Sequence, residues 1–296
     1  MGNPFENNLR VLYPDQAEAW LVALPAFLKS IEAKLSIRIA APFFNLTYHY
    51  VAPATSATGE AWIFKYSIPY KEMRTEIAAL QYYNGQGCVR LIASDAEQGW
   101  LLLEACQPGV MLSILEDDEA ATRYAVEVIQ KLWKPIAKEE PFPTIQNWLE
   151  GLSRMQQDPR AKDLISKRLM DYSIGLSKDL CASMGELVLL HGDLHHDNIL
   201  SSSRAPYLAI DPKGLIGERE YECGALIRNP IAKIRGMSGL SRFLKRRLDQ
   251  MAAEAGFDRN RIQQWSMVQA VLAAYWQIED EGSDGQQWIQ CAEALL

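Results

Sequence analysis

The sequence predicts an α+β chain in two lobes, an amino-terminal lobe built on a five-stranded antiparallel sheet and a mostly helical carboxy-terminal lobe. Three observations predict it. Apolar residues alternate in short runs between positions 35 and 104. The stretch Glu104-Ala105-Cys106-Gln107-Pro108-Gly109 then breaks the pattern with Pro and Gly. Beyond it the apolar spacing is helical, apart from a cluster of short strands at 188–214. These changes set the boundaries at 1–104 for the sheet lobe, 105–110 for a hinge and 111–296 for the helical lobe.

Each element has a local reason. Residues 15–35 predict a helix capped by Asp15, with Trp20, Leu21, Leu24, Leu28 and Ile31 on one face and Pro25 kinking or splitting it. Leu35, Ile37 and Ile39 alternate, as do Tyr48, Tyr50 and Ala52. Trp62, Phe64 and Tyr66 follow from the turn Thr58-Gly59-Glu60, giving three strands. Lys65 stands among the apolar residues of the third strand, where an ammonium is costly unless it meets an anion. The alternative is an edge strand with Lys65 in solvent. A helix from Lys71 to Tyr83 packs Ile77, Leu80 and Tyr83 and carries Glu72 and Glu76. Two more strands, 89–93 and 100–103, flank the turn at 95–99.

In the helical lobe, Ser113-Ile-Leu-Glu116 reads as a capping box ahead of a helix that buries Ala121, Tyr124, Ala125, Val128, Ile129, Leu132 and Trp133. Asp158-Pro159 opens another helix, carrying Leu164, Leu169, Tyr172 and Leu176. Residues 260–280 predict an amphipathic helix that ends on Glu279, Asp280 and Glu281. Negative charge is unfavourable at a helix carboxyl end, so these acids are candidates to bind a cation.

Composition excludes whole classes. The net charge is −7 and the longest basic block is Lys245-Arg-Arg247, which argues against a nucleic-acid partner. The five cysteines are odd in number and hold no Cys-x-x-Cys pair, so we expect reduced thiols and a cytoplasmic location. No apolar run reaches membrane-spanning length and the amino terminus does not read as a signal peptide, so no membrane partner is expected.

Chemistry concentrates at 188–214. Val188-Leu-Leu190, Ile199-Leu200 and Tyr207–Ile210 read as strands, with Asp193, Asn198 and Asp211 at their ends. A divalent ion on a triphosphate takes hard oxygen ligands, which Asn198 and Asp211 supply, leaving Asp193 to meet an attacking hydroxyl. His191 and His195 fit either loop-backbone hydrogen bonds or substrate contact.

The run His191-Gly-Asp-Leu-His195-x-x-Asn198, followed by Ile210-Asp211, resembles the catalytic loop and metal-binding aspartate of the aminoglycoside phosphotransferases, small-molecule kinases of the protein-kinase-like fold. Asp211-Pro-Lys-Gly, Glu222-Cys-Gly-Ala-Leu-Ile-Arg-Asn229-Pro230 and Trp276-Gln-Ile-Glu279-Asp280 resemble the streptomycin and hydroxyurea subgroup. The resemblance implies a bilobal fold, ATP and Mg²⁺ as cofactors, Asp193 as the catalytic residue and Asn198 and Asp211 as metal ligands. It implies Lys65 on the ATP phosphates, held by Glu76 (with Glu72 the competitor), and backbone contacts to adenine at Glu104 and Cys106. Trp276, Glu279 and Asp280 are its substrate-side candidates, suited to a cationic small-molecule acceptor such as an aminoglycoside. The glycine-rich loop of protein kinases is absent. Residues 41–46 stand in its place, so phosphate contacts there would need Asn45, Thr47 or plain amides. Two other readings stay open: a kinase for a sugar or amino-alcohol metabolite, and a nucleotide-binding pseudokinase scaffold.

Overall fold

The computed structural model describes residues 4–136, 140–281 and 285–296, without the side chains of residues 280 and 281. The chain divides into two compact units, Met1–Gly85 with Val89–Gln107, and Gln86–Cys88 with Pro108–Leu296.

The first unit opens with two helices, α1 (Pro4–Leu12) and α2 (Ala17–Leu35). Helix α1 lies outside the elements expected from the sequence. Asp15 does not cap α2: the cap residue is Gln16, and the amides of Gln16 and Ala17 bond to the Tyr13 carbonyl instead. Nor does Pro25 split α2, which runs unbroken across it. Aromatic packing from both sides of the proline holds the helix in one piece. Trp20 and Phe27 stack on Tyr66 with centroids 4.6 and 4.1 Å away.

Strands β1 (Ile37–Ile39), β2 (Tyr50–Ser56), β3 (Ala61–Tyr66), β4 (Leu91–Asp95) and β5 (Trp100–Glu104) form one antiparallel sheet in the order β1-β2-β3-β5-β4. Helix α3 (Lys71–Tyr83) follows β3. Gly99 has φ +82° and donates its N–H to the Asp95 carbonyl, closing the β4–β5 hairpin in a conformation open to glycine.

The second unit holds two small sheets and nine helices among its described residues. Strand β6 (Pro108–Met111) leads to helix α4 (Asp118–Leu132). The predicted capping box at Ser113 does not form. Leu112–Ile114 is a 3₁₀ turn, and Asp117 caps α4 by accepting from the amides of Glu119 and Ala120. An acid one residue before the helix meets those N–H groups directly, and Ser113 lies too far upstream. Helix α5 (Ile145–Met155) was not predicted; its capping box joins Thr144 and Asn147. The helix expected from Pro159 is two, α6 (Pro159–Leu164) and α7 (Lys167–Ala182), because Ser166 caps a fresh start. Tyr172, expected to be packed, is 50% exposed.

Strand β7 (Leu187–Leu190) precedes the hairpin β8 (Ile199–Ser202) and β9 (Tyr207–Ala209), and β10 (Leu215–Glu218) returns to pair antiparallel with β7. The chain then continues through α8 (Cys223–Ile227), α9 (Ile231–Ile234), α10 (Leu240–Ala255), α11 (Arg259–Glu281) and α12 (Gln286–Leu295). Helix α11 is not amphipathic as expected. Ile262, Trp265, Val268, Val271, Leu272, Ala274, Tyr275 and Ile278 are all buried, and α5, α7, α8, α10 and α12 pack around it. A helix buried on nearly every side is the central post of a bundle, not a surface element.

Candidate active site

The strands of the second unit fix the loop at 188–214. Pairing of β8 with β9 sets Ile199 opposite Ala209, and one step further the Ile210 amide donates to the Asn198 carbonyl at 2.9 Å. Asn198 and Asp211 therefore emerge from neighbouring positions of one hairpin. Buried His191 ties that hairpin to the loop. Its Nε2 lies 2.7 Å from the Ile210 carbonyl and its Nδ1 accepts from the Asp193 amide at 3.3 Å. A nitrogen facing a carbonyl must carry the proton, so the ring is the Nε2–H tautomer. Burial pushes its pKa down to about 4, so it is neutral at physiological pH.

A second buried group grips the loop from the other side. Glu222 accepts from the amides of His191 at 2.5 Å and Gly192 at 3.1 Å. Burial raises its pKa to about 7, against the opposing pull of those two amides. Gly192 has φ +87°, and a Cβ there would stand 3.0 Å from the indole of Trp148, so both backbone and packing demand glycine.

These contacts leave Asp193 at the mouth of the loop, its side chain 41% exposed, with His195 Nε2 3.9 Å from its carboxylate. His195 also accepts from the Asp197 amide at 3.3 Å, and its Nδ1 lies 3.5 Å from the Asp197 carboxylate, a side-chain contact that holds that carboxyl below its ordinary range. Asn198 Nδ2 donates to the Asp193 carbonyl at 2.9 Å. Its amide oxygen is thereby turned the opposite way, as a hard ligand requires. Asp211 has φ +57°, a conformation that non-glycine residues adopt at a cost and keep where it serves a function. One carboxylate and one amide oxygen on adjoining strand ends fit the small protein share of a Mg²⁺ site on a phosphate.

In the first unit, Lys65 lies on β3, the middle strand of five, paired with Val51 on one side and Leu101 on the other. The edge-strand alternative is therefore excluded. Its ammonium meets both carboxylate oxygens of Glu76 at 2.8 and 2.9 Å, with the side chains 4% and 6% exposed. Glu76 is thus a partner of Lys65, as expected. Beside them His49 Nε2 lies 2.5 Å from the Tyr70 hydroxyl. Burial, followed by the charges of Lys65 and Glu76, perturbs that phenol, and the net effect raises its pKa. Glu104 ends β5, its carboxylate on the Arg90 amide at 3.0 Å, and Cys106 follows, partly buried.

The carboxy-terminal candidates are arranged differently from the expectation of open acids. Glu279 is held by Arg154 through two hydrogen bonds at 2.8 and 2.9 Å and receives the Tyr275 hydroxyl at 3.1 Å. The Arg154 contact draws the Glu279 pKa below the usual carboxylate range. The Asp280 side chain lies outside the described residues. Trp276 meets Trp148 edge to face, centroids 5.6 Å apart, and so belongs to the wall that touches Gly192. Sequence reasoning missed Trp148 and Glu222. The signal for Glu222 was present: it is the acid that directly heads the apolar run Cys223-Gly-Ala-Leu-Ile. Trp148 had none, because its role comes from packing between distant segments.

Comparison with known proteins places the chain in a family. Residues 47–282 match the aminoglycoside/hydroxyurea antibiotic resistance kinase family. The chain is 27% identical to the streptomycin 6-kinase of Streptomyces glaucescens over 277 residues, covering 90% of this chain and 87% of the relative. It is 30% identical to the hydroxyurea phosphotransferase of Kitasatospora aureofaciens over 279 residues, covering 92% and 79%. Among solved structures it is similar in fold to a choline kinase of Streptococcus pneumoniae, with TM-score 0.62, 15% identity and coverage of 90% and 98%. An aminoglycoside phosphotransferase solved in ternary complex with ADP and hygromycin B gives TM-score 0.60 at 12% identity, covering 90% and 97%. The fold is that of the protein-kinase-like small-molecule kinases, and the protein belongs to the aminoglycoside/hydroxyurea antibiotic resistance kinase family, phosphotransferases acting on a small-molecule hydroxyl.

Proposed function

We propose that this kinase transfers the γ-phosphoryl group of ATP, with Mg²⁺, to a hydroxyl of an aminoglycoside such as streptomycin or of hydroxyurea. The observation that carries the reading is the hydrogen-bonded frame of His191, Glu222 and Asn198, which presents Asp193 on a rigid loop beside two hard oxygen ligands. Phosphoryl transfer asks for positioning and charge neutralisation more than for covalent chemistry. Asp193 orients the acceptor hydroxyl and takes its proton. The hydroxyl oxygen bonds to the γ-phosphorus, the bond to the β,γ-bridging oxygen breaks, and ADP leaves. Asn198 and Asp211 would hold the Mg²⁺, which when bound would neutralise charge on the phosphate oxygens. Lys65, fixed by Glu76, places the triphosphate. The segment 105–110 is the hinge, with the backbone of Glu104 and Cys106 on the adenine edge. Trp276 belongs to the acceptor side. Glu279, already neutralised by Arg154, serves a cationic acceptor through that pair rather than as a bare charge. The need for ATP, together with five free cysteines, suits the cytoplasm.

The test is ATP consumption by purified protein with streptomycin, hydroxyurea, a sugar panel and choline, with phosphorylated product identified by mass. Product from streptomycin or hydroxyurea supports the reading. Product from metabolites alone replaces it with a metabolite kinase, and nucleotide binding without transfer to any acceptor replaces it with a scaffold.

A further inference from the structure

Helix α5 is seated against its neighbours through glycines. Ile145 meets Gly217 of β10, where a Cβ would stand 2.1 Å from its Cδ1. Trp148 meets Gly192, where a Cβ would stand 3.0 Å from its Cη2, closer than the Cβ atoms of Lys213 and Leu215. Gly151 meets α11, where a Cβ would stand 2.7 Å from Leu272 Cδ1 and 3.3 Å from Trp276 Nε1. Residues three apart lie on one helix face, so positions 145, 148 and 151 form a single seam. The start of the helix is fixed as well, because the Ile216 amide donates to the Pro143 carbonyl at 2.8 Å. Trp148 therefore stands on a rigid element. Consecutive Cα atoms are about 3.8 Å apart, which puts the tip of its indole no more than about 8 Å from the Asp193 Cα.

Packing does not use up this side chain. Trp148 and Trp276 are both partly exposed. They meet with their planes 83° apart, a contact that braces the pair. Arg154, whose Nη2 lies 3.8 Å from the same point on Gly151, takes up the Glu279 carboxylate. What the described side chains of this wall offer a ligand is thus aromatic ring surface rather than free charge. An indole face attracts flat groups, and a guanidinium stacks on it through both its charge and its planarity. The acceptors for which the relatives are named share such a group. Streptomycin carries guanidino groups on a ring that also bears hydroxyls. Hydroxyurea holds its hydroxyl on a planar urea.

We propose that Trp148 is an acceptor-binding residue whose indole stacks the planar N–C–N group beside the reacting hydroxyl, guanidino in streptomycin and urea in hydroxyurea. A flat aromatic face fits both, although the two differ greatly in size and charge. This rests on the kinase reading given above and deepens it.

The test measures KM and kcat for streptomycin and hydroxyurea with wild type, Trp148→Leu and Trp148→Phe, alongside ADP affinity and melting temperature. Streptidine and streptamine, which carry guanidino and amino groups on the same cyclitol, are compared as competitive inhibitors. The wild type should bind streptidine about tenfold more tightly than streptamine, and Trp148→Leu should bring the two within about twofold. Trp148→Leu should also raise the acceptor KM about tenfold, with ADP affinity within about twofold of wild type. Trp148→Phe keeps a flat ring and should recover most of the acceptor affinity. Where the leucine variant does not fold, the wild-type inhibitor ratio and the phenylalanine variant decide. Equal binding of streptidine and streptamine by wild type, an unchanged acceptor KM in Trp148→Leu, equal losses in the two variants, or parallel loss of ADP binding overturns the proposal. Wild-type protein that phosphorylates neither streptomycin nor hydroxyurea overturns the kinase reading beneath it as well.

Discussion

Asn198 carries two tasks on one amide in the proposed site: its nitrogen fastens the Asp193 carbonyl, and its oxygen is the proposed metal ligand. That economy makes the loop sensitive to single atoms. Asp193→Asn keeps the shape and removes the proposed base, so kcat should fall by about 10²–10⁴ while ADP titration shows unchanged affinity. Glu222 gives a sharper test through pH. Its folded pKa of about 7 lies above the ordinary 4.5. A carboxyl raised on folding contributes stability that is fully present below pH 4.5 and lost as pH rises through 7. The wild type should therefore lose about 3 kcal/mol across that window relative to Glu222→Gln, read as the pH dependence of the difference in melting temperature. Over the same window the variant should turn over slowly, because an amide offers one acceptor where the amides of His191 and Gly192 need two. Parallel melting curves for the two proteins would contradict this account.

At the scale of elements, close packing decides what the strands and helices tolerate. Gly217 of β10 faces α5, and a Cβ there would stand 2.1 Å from Ile145 Cδ1. Gly217→Ala should destabilise by about 1–3 kcal/mol in urea unfolding, since the Ile145 side chain is fully buried. Pro25 makes the opposite case. It removes a hydrogen bond in a helix that nevertheless runs unbroken across it, an arrangement that costs about 3 kcal/mol in an isolated helix. Pro25→Ala should raise the melting temperature; a drop would mean that the stiffness proline gives the unfolded chain outweighs the regained bond. Local sequence made most of the sheet and α3 legible, because alternation over short runs leaves few other solutions. It misjudged α11, whose acidic end suggested a surface helix. Only the surrounding helices show that its polar residues, such as Gln269, are buried partners.

For the whole molecule, the binding reaction is a linkage experiment. Chelation of divalent ions should abolish turnover and weaken ATP binding, and Asp211→Asn should raise the Mg²⁺ concentration needed for half-maximal rate about 10–100-fold. A ligand at a hundred times its Kd should stabilise the fold by about 2.7 kcal/mol, so ATP with Mg²⁺ should shift the melting curve more than ATP alone. Equal shifts would remove the metal from the reading.

The sequence by itself pointed to the two-part architecture and to the candidate groups Asp193, Asn198, Asp211 and Lys65. Each of these depends on spacing along one strand or one loop, which the order of residues fixes directly. The tertiary structure alone decided that Glu76 meets Lys65, that Glu279 is neutralised by Arg154, that Glu222 braces the loop ahead of Asp193 and that Gln269 receives Arg228. These contacts join residues far apart in the chain. Their energies come from burial and from hydrogen bonds that exist only once the helices have packed, so no local pattern encodes them.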